Sequence, residues 1–143
     1  LHMEHICFVD DHIDIYDCIE FNKRFRLIDV AADVAFLAMD LDYHDRYDLA
    51  AFFLRCFAAH FPDQEGKKLL QFYKCYRAYV RGKVSSFLLD DASLTMAEKE
   101  SASRDARRHF RLASLYTCNL PPSIILVSGI SGSGKSYLAG GLA

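Results

Sequence analysis

The sequence predicts an α+β chain, mostly helical: a β-hairpin, a run of helices, then the first strand, loop and helix start of a separate α/β unit. Three observations carry that expectation. Two short apolar stretches, residues 6–9 and 13–18, flank the polar triplet Asp10–His12. From about Asp29 to Cys118, apolar residues recur at three- and four-residue spacing, the period of helices that bury one face. After Pro121 and Pro122, a continuous apolar stretch runs into a glycine-rich loop.

Each element has its own local signal. "ICFV" at 6–9 and "IDIYDC" at 13–18 read as two strands joined by a tight polar turn, with Ile13, Ile15 and Asp17 alternating against Asp14 and Tyr16. The period changes at Asp29, whose carboxylate suits an N-cap because it can accept from the orphan amides of a first helical turn. In that helix Val30, Val34, Leu37 or Ala38, and Leu41 share the inward face. The next helix places Leu49, Phe52, Phe53, Cys56, Phe57 and His60 inward and ends at "FPDQEG". A third runs from about Glu65 to Leu89, with Leu69, Phe72, Tyr73, Tyr76, Val80, Val84 and Phe87 inward. The aromatic stripe Phe72, Tyr73, Tyr76, Tyr79 reads as core. A fourth spans roughly Thr95 to Cys118, opened by Thr95 and Glu98 in capping-box positions. Its apolar stripe, Ala102, Ala106, Phe110 and Ala113, is thin, so this helix is expected on a surface. "NLPPS" at 119–123 is the best boundary, because two prolines stop a helix and stiffen a linker. "IILVS" beyond it is the mark of a strand buried on both faces.

Charge is unevenly spread. Residues 1–65 carry a net charge of −9 and residues 66–143 a net +7. Such asymmetry can signal a polyanion partner, but the basic residues are scattered along helices (Arg77, Arg81 and Lys83 on one, Arg104, Arg107, Arg108 and Arg111 on the next). Two oppositely charged parts packing together is the simpler reading. Five cysteines, with no C-x-x-C pair, fit reduced and mostly buried thiols in a cytoplasmic protein. No signal peptide and no membrane-spanning apolar stretch is visible. The beginning, Leu-His-Met-Glu-His, and the ending, "SYLAGGLA", read as an internal piece of a longer protein.

"GISGSGKS", Gly129 to Ser136, satisfies G-x-x-x-x-G-K-[ST], the Walker A pattern of P-loop nucleotide-binding proteins. The residue types have physical reasons. Glycines let the backbone curl round a phosphate without Cβ clashes. The amides of residues 131–136, including Ser131, Gly132, Ser133 and Gly134, would then converge as a nest at a helix N-terminus, where the dipole favours anions. Lys135 would reach the β- and γ-phosphates of ATP as the catalytic cation, and the Ser136 hydroxyl would ligate Mg²⁺. A complete nucleotide site also needs the rest of the sheet and a further acidic group, so the 143 residues alone are expected to bind ATP weakly or not at all.

The front of the chain, "LHMEHICFVDDHIDIYDCIEFNKRFRLIDVAADVAFL", resembles the aminoglycoside phosphotransferase-like, kinase-like fold. In that family a catalytic loop H-G-D-L-H-x-x-N precedes a β-hairpin whose end carries a Mg²⁺-binding Asp. The resemblance equates Leu1-His2 with the L-H of the loop and puts the catalytic Asp immediately before Leu1. His5 stands where the family has a metal-binding Asn, a departure that puts two-metal chemistry in doubt. Asp17 matches the metal-binding Asp, and Asp29 and Asp33 match acidic positions that brace the loop and cap the next helix. His2 and His5 are spaced to share a metal, but two histidines do not make a site. With "YRAYVRGKV" and the phosphate loop, the order of motifs is similar to bacterial proteins described as bifunctional aminoglycoside phosphotransferase/ATP-binding proteins, or AAA-family ATPases. The resemblance implies residues 1–118 as part of a helical C-lobe, 119–123 as linker and 124–143 as the truncated start of a P-loop NTPase or kinase domain.

Taken with the phosphate loop, the resemblance implies an ATP- and Mg²⁺-dependent phosphotransferase acting on a small-molecule hydroxyl, with neither membrane nor nucleic acid as partner. The acceptor stays open among aminoglycoside, sugar, nucleoside and protein hydroxyls. The alternative is a pseudokinase-like, ligand-binding front lobe that regulates a P-loop ATPase acting on a protein or nucleic acid.

Overall fold

A computed structural model describes residues 1–16, 22–61, 64–118 and 127–142. The chain is mostly helical with one two-stranded antiparallel sheet, an α+β arrangement. Strands β1 (Ile6–Val9) and β2 (His12–Ile15) pair with Val9 opposite His12 and Ile6 opposite Ile15. The turn is therefore the two residues Asp10 and Asp11. His12 belongs to β2 rather than to the turn, a shift of one residue from the sequence reading. Asp10 takes φ 51°, a left-handed value that a short acidic side chain tolerates.

Among the described residues, five α-helices follow in the front part. The short α1 (Lys23–Arg26), not foreseen, is capped by Asn22, whose side chain accepts from the Arg24 amide at 2.9 Å. α2 is Val30–Tyr43, α3 Tyr47–His60, α4 Gln64–Phe87 and α5 Met96–Thr117. Both foreseen caps are present. Asp29 accepts from the Ala31 amide at 2.9 Å, and Thr95 and Glu98 form a reciprocal capping box.

α2 is the centre. It packs on α3 on one side and on α4 on the other, and α4 lies along α5. One core cluster joins Met39, Ala78, Leu112 and Ala113, and the other joins Leu37, Leu41 and Ala50. Leu37, Ala38 and Leu41 are buried as expected, whereas Val30, at the helix start, is exposed.

The inward faces of α3 and α4 differ from the periodic reading. α3 buries Ala50 and half-buries Phe53, Leu54, Phe57 and Ala58, while Leu49, Phe52, Cys56 and His60 are exposed. The true face is turned by one residue, about 100° round the helix. On α4 the core contact runs over Ala78 and Gly82, and Leu69, Phe72, Tyr76, Val84 and Phe87 face outward. The cause is close approach. A Cβ added at Gly82 would lie 2.9 Å from the Phe110 ring of α5, so the two helices meet over small residues and the bulky ones fall outside the seam. α5 is a surface helix with one narrow buried stripe, as expected: Ala102, Ala106 and Ala113 are buried, joined by His109 and Leu112, while Phe110 is partly exposed. Among the described cysteines, Cys7, Cys56 and Cys118 are exposed and Cys75 is half-buried, which corrects the expectation of mostly buried thiols.

The opposite charges of the two halves do meet. Lys74 on α4 pairs with Asp42 on α2 at 2.5 Å, and Arg108 on α5 pairs with Asp45 in the α2–α3 turn at 2.6 Å. No described helix is long and apolar enough to cross a membrane.

Candidate functional site

The glycine-rich loop at 129–136 is built from its glycines outward. Gly132 and Gly134 take φ 80° and 81°, values at which any Cβ is strained. Gly129 has another reason to be glycine: a Cβ there would lie 2.8 Å from Ser133 Oγ. The Ser133 amide donates to the Ile130 carbonyl at 3.3 Å, closing the turn. Helix α6 (Lys135–Leu142) starts directly after Gly134, and the Leu138 amide donates back to the Gly134 carbonyl at 3.0 Å. The first amides of α6 have no carbonyl within the helix to bond, which is what an anion at a helix start exploits. Lys135 folds back over the loop and donates from Nζ to the Ile130 carbonyl at 2.5 Å. Ser131, Ser133 and Ser136 are exposed. The foreseen strand at 124–128 and the linker at 119–123 fall mostly or wholly outside the described residues. Val127 and Ser128 carry no regular structure.

The second group of foreseen residues gathers at the front. Met3–His5 form a single 3-10 turn. The His2 and His5 rings lie 3.9 Å apart, His2 also lies against Phe36 at 5.0 Å, and His5 lies 5.8 Å from Tyr16. Tyr16 donates its hydroxyl to the Glu4 carbonyl and its amide to the His5 carbonyl. Burial, reinforced by the neighbouring His5, holds the His2 pKa below its ordinary value.

One carboxylate of α2 ties this segment down: Asp40 accepts from the Met3 amide at 2.8 Å. Asp29 caps α2 with one oxygen and accepts from the Tyr73 hydroxyl with the other at 2.9 Å. Asp29 therefore sits as a cap. Asp17 lies outside the described residues. Among the described residues no three His, Cys, Asp or Glu side chains are grouped to hold a metal ion.

The sequence reading missed what lies behind this loop. Asp40 and Asp42 are buried in the most apolar stretch of α2. Asp42 Oδ2 takes both the Lys74 ammonium and the Tyr116 hydroxyl, each at 2.5 Å, and Lys74 lies over the Tyr116 ring at 4.5 Å. Burial and the Asp42 carboxylate raise the Tyr116 pKa far above its ordinary value. Tyr43 stacks on His109 at 4.0 Å and donates to Asp105 at 2.9 Å. Its pKa is pushed up to about 12 by burial and by that hydrogen bond. His109, 4% exposed, bonds the Asp105 carbonyl through Nδ1 at 2.9 Å, while its Nε2 is buried with no partner. Burial lowers its pKa below the ordinary histidine value. The available signal was the pair of acids at i and i+2 inside "FLAMDLDYH", because a buried carboxylate requires partners.

Comparison with known proteins adds one kind of relative. Uncharacterized proteins of Mycobacterium tuberculosis (strain H37Rv) and Mycobacterium bovis are each 37% identical over 151 aligned positions, covering 96% of this chain and 29% of the relative. The chain thus spans less than a third of the length of the curated relatives it matches. No protein-family model matches the chain. No solved structure matches it either.

Proposed function

We propose that this chain belongs to a longer, cytoplasmic ATP-dependent phosphotransferase whose acceptor is a small-molecule hydroxyl. Residues 129–136 hold the nucleotide phosphates. The observation that carries the reading is the loop itself: two glycines at positive φ, immediately followed by a helix whose first residue is Lys135. A nest of amides, a lysine and an adjacent serine suit a polyphosphate with its divalent cation. ATP with Mg²⁺ would supply the transferable phosphoryl group. Lys135 exchanges its bond to the Ile130 carbonyl for the phosphates, and Ser136 offers its hydroxyl to the cation. In this reading residues 1–118 are a kinase-like C-lobe, 119–123 a linker and 124–143 the start of the P-loop unit. Asp17 and His5 would serve the front lobe's own metal.

One observation favours the second reading, a front lobe that binds and regulates rather than catalyses. His5, in the place of a metal-binding Asn, is packed between the rings of His2 and Tyr16. The test is phosphate release and transfer by the full-length protein with Mg²⁺·ATP, comparing Lys135→Ala with Asp17→Ala. Loss of turnover in Lys135→Ala alone assigns the chemistry to the P-loop unit. Loss of a distinct transfer activity in Asp17→Ala makes both parts enzymes. Turnover unchanged by Lys135→Ala would overturn the proposal.

A further inference from the structure

The outward side of α4 and α5 is aromatic. Phe72, Tyr76 and Tyr79 stand at i, i+4 and i+7 on α4, 62%, 52% and 55% exposed, and Tyr79 lies 5.7 Å from the Phe110 ring of α5. With Ala113 and Thr117 they line one open, mainly apolar groove. Gly82 forms the seat under Phe110, since any side chain there would strike its ring. A contiguous apolar patch with tyrosines at its centre has the make-up of a binding surface rather than of ordinary solvent-facing helix.

We infer that this groove is the docking surface for the P-loop unit of the same polypeptide, an inference that rests on reading residues 124–143 as the start of such a unit. The groove ends at Thr117, the last residue of α5. Nine residues separate it from Val127, a reach of at most about 36 Å when fully extended. A tether that short holds the second unit at roughly millimolar effective concentration beside the groove, far above what a separate partner attains. The tethered side carries apolar surface of its own on α6, where Tyr137 is 91% exposed and Leu138 55%. The matched relatives are more than three times the length of the aligned region, so there is polypeptide enough outside it to cover the face.

The experiment uses the full-length protein and reads the rate of thermolysin cleavage between Cys118 and Val127. Tyr76→Asp puts a charge in the groove at an exposed position, and Tyr79→Ser is a milder second variant. Phe52→Asp, on the exposed side of α3, is the reference. Docking predicts cleavage about tenfold faster in Tyr76→Asp, the equivalent of about 1.4 kcal/mol, a smaller rise in Tyr79→Ser and none in Phe52→Asp. Equal rates in wild type and both groove variants overturn the inference. So does a wild-type dimer, seen by light scattering, that Tyr76→Asp dissociates at unchanged cleavage, for a second copy then occupies the groove. ATP binding is measured on the same samples. A wild type that binds no ATP yet shows the Tyr76→Asp effect keeps the docking surface and removes the phosphotransferase reading.

Discussion

Replacing Asp42 by alanine should be among the most damaging single changes in the helical part. Asp42 is 6% exposed, its Oδ2 holds Lys74 and Tyr116 at 2.5 Å each, and the three residues belong to α2, α4 and α5. The substitution leaves a largely buried ammonium and a buried phenol with no acceptor. Breaking a buried pair from one side costs about 3–5 kcal/mol, because the surviving charge stays desolvated. With a urea m-value near 2 kcal/mol/M, the midpoint should fall by about 1.5–2.5 M. The assay is equilibrium urea unfolding followed by far-UV circular dichroism. A triple variant, Asp42→Leu with Lys74→Met and Tyr116→Phe, removes every polar partner together and should recover most of the loss. A midpoint shift below about 0.5 M for Asp42→Ala would refute the reasoning, as would a triple variant no more stable than the single one.

Other expectations rest on single features. Gly134→Ala forces a Cβ onto φ 81° and should weaken ATP binding by the full-length protein at least tenfold by calorimetry, with little change in the unfolding of the helical part. His109 and His2 have pKa values below the ordinary histidine value in the folded state, so the unfolded chain binds more protons in acid. Their contribution is fully present above about pH 6.5 and is lost as pH falls below it, by at most about 1.4 kcal/mol per pH unit for each histidine. His109→Gln should flatten that slope in urea midpoints measured from pH 7.5 to 5. Thr95→Ala removes the N-cap of α5 and should cost about 1 kcal/mol, read as a lower thermal midpoint.

Local chemistry was legible in the sequence, and helix orientation was not. The Asp29 cap, the Thr95–Glu98 box, the hairpin and the loop before Lys135 each depend on a few adjacent residues, and each is where its residue types put it. The inward faces of α3 and α4 depend on partners far along the chain. A rule that sends large apolar residues inward chose Phe72, Tyr76 and Phe52, whereas helices meeting over Ala78 and Gly82 exclude bulky side chains from the seam. The same rule gave no place to Lys74 and Arg77, which turn inward. Lys74 does so to meet Asp42, and Arg77 lies over Phe36 at 4.8 Å while donating to the Ala32 carbonyl at 3.4 Å. At the front loop, the acid that holds the backbone, Asp40, was hidden in an apolar run and emerged only with the Met3 amide beside it.

The central place of α2 also sets a schedule for synthesis. Its bond from Asp42 to Tyr116 closes across 74 residues. At about 5–20 residues per second a ribosome needs roughly 4–15 seconds to deliver the second partner after the first. During that interval α2 can pack on α3 and α4 and Asp42 can meet Lys74, but Met39 lacks Leu112 and Ala113 and Asp42 lacks the Tyr116 hydroxyl. Force profiling of arrested nascent chains should therefore register its largest folding tension only when α5 has left the exit tunnel. For those seconds the newborn chain is a natural client for chaperones that hold exposed apolar segments.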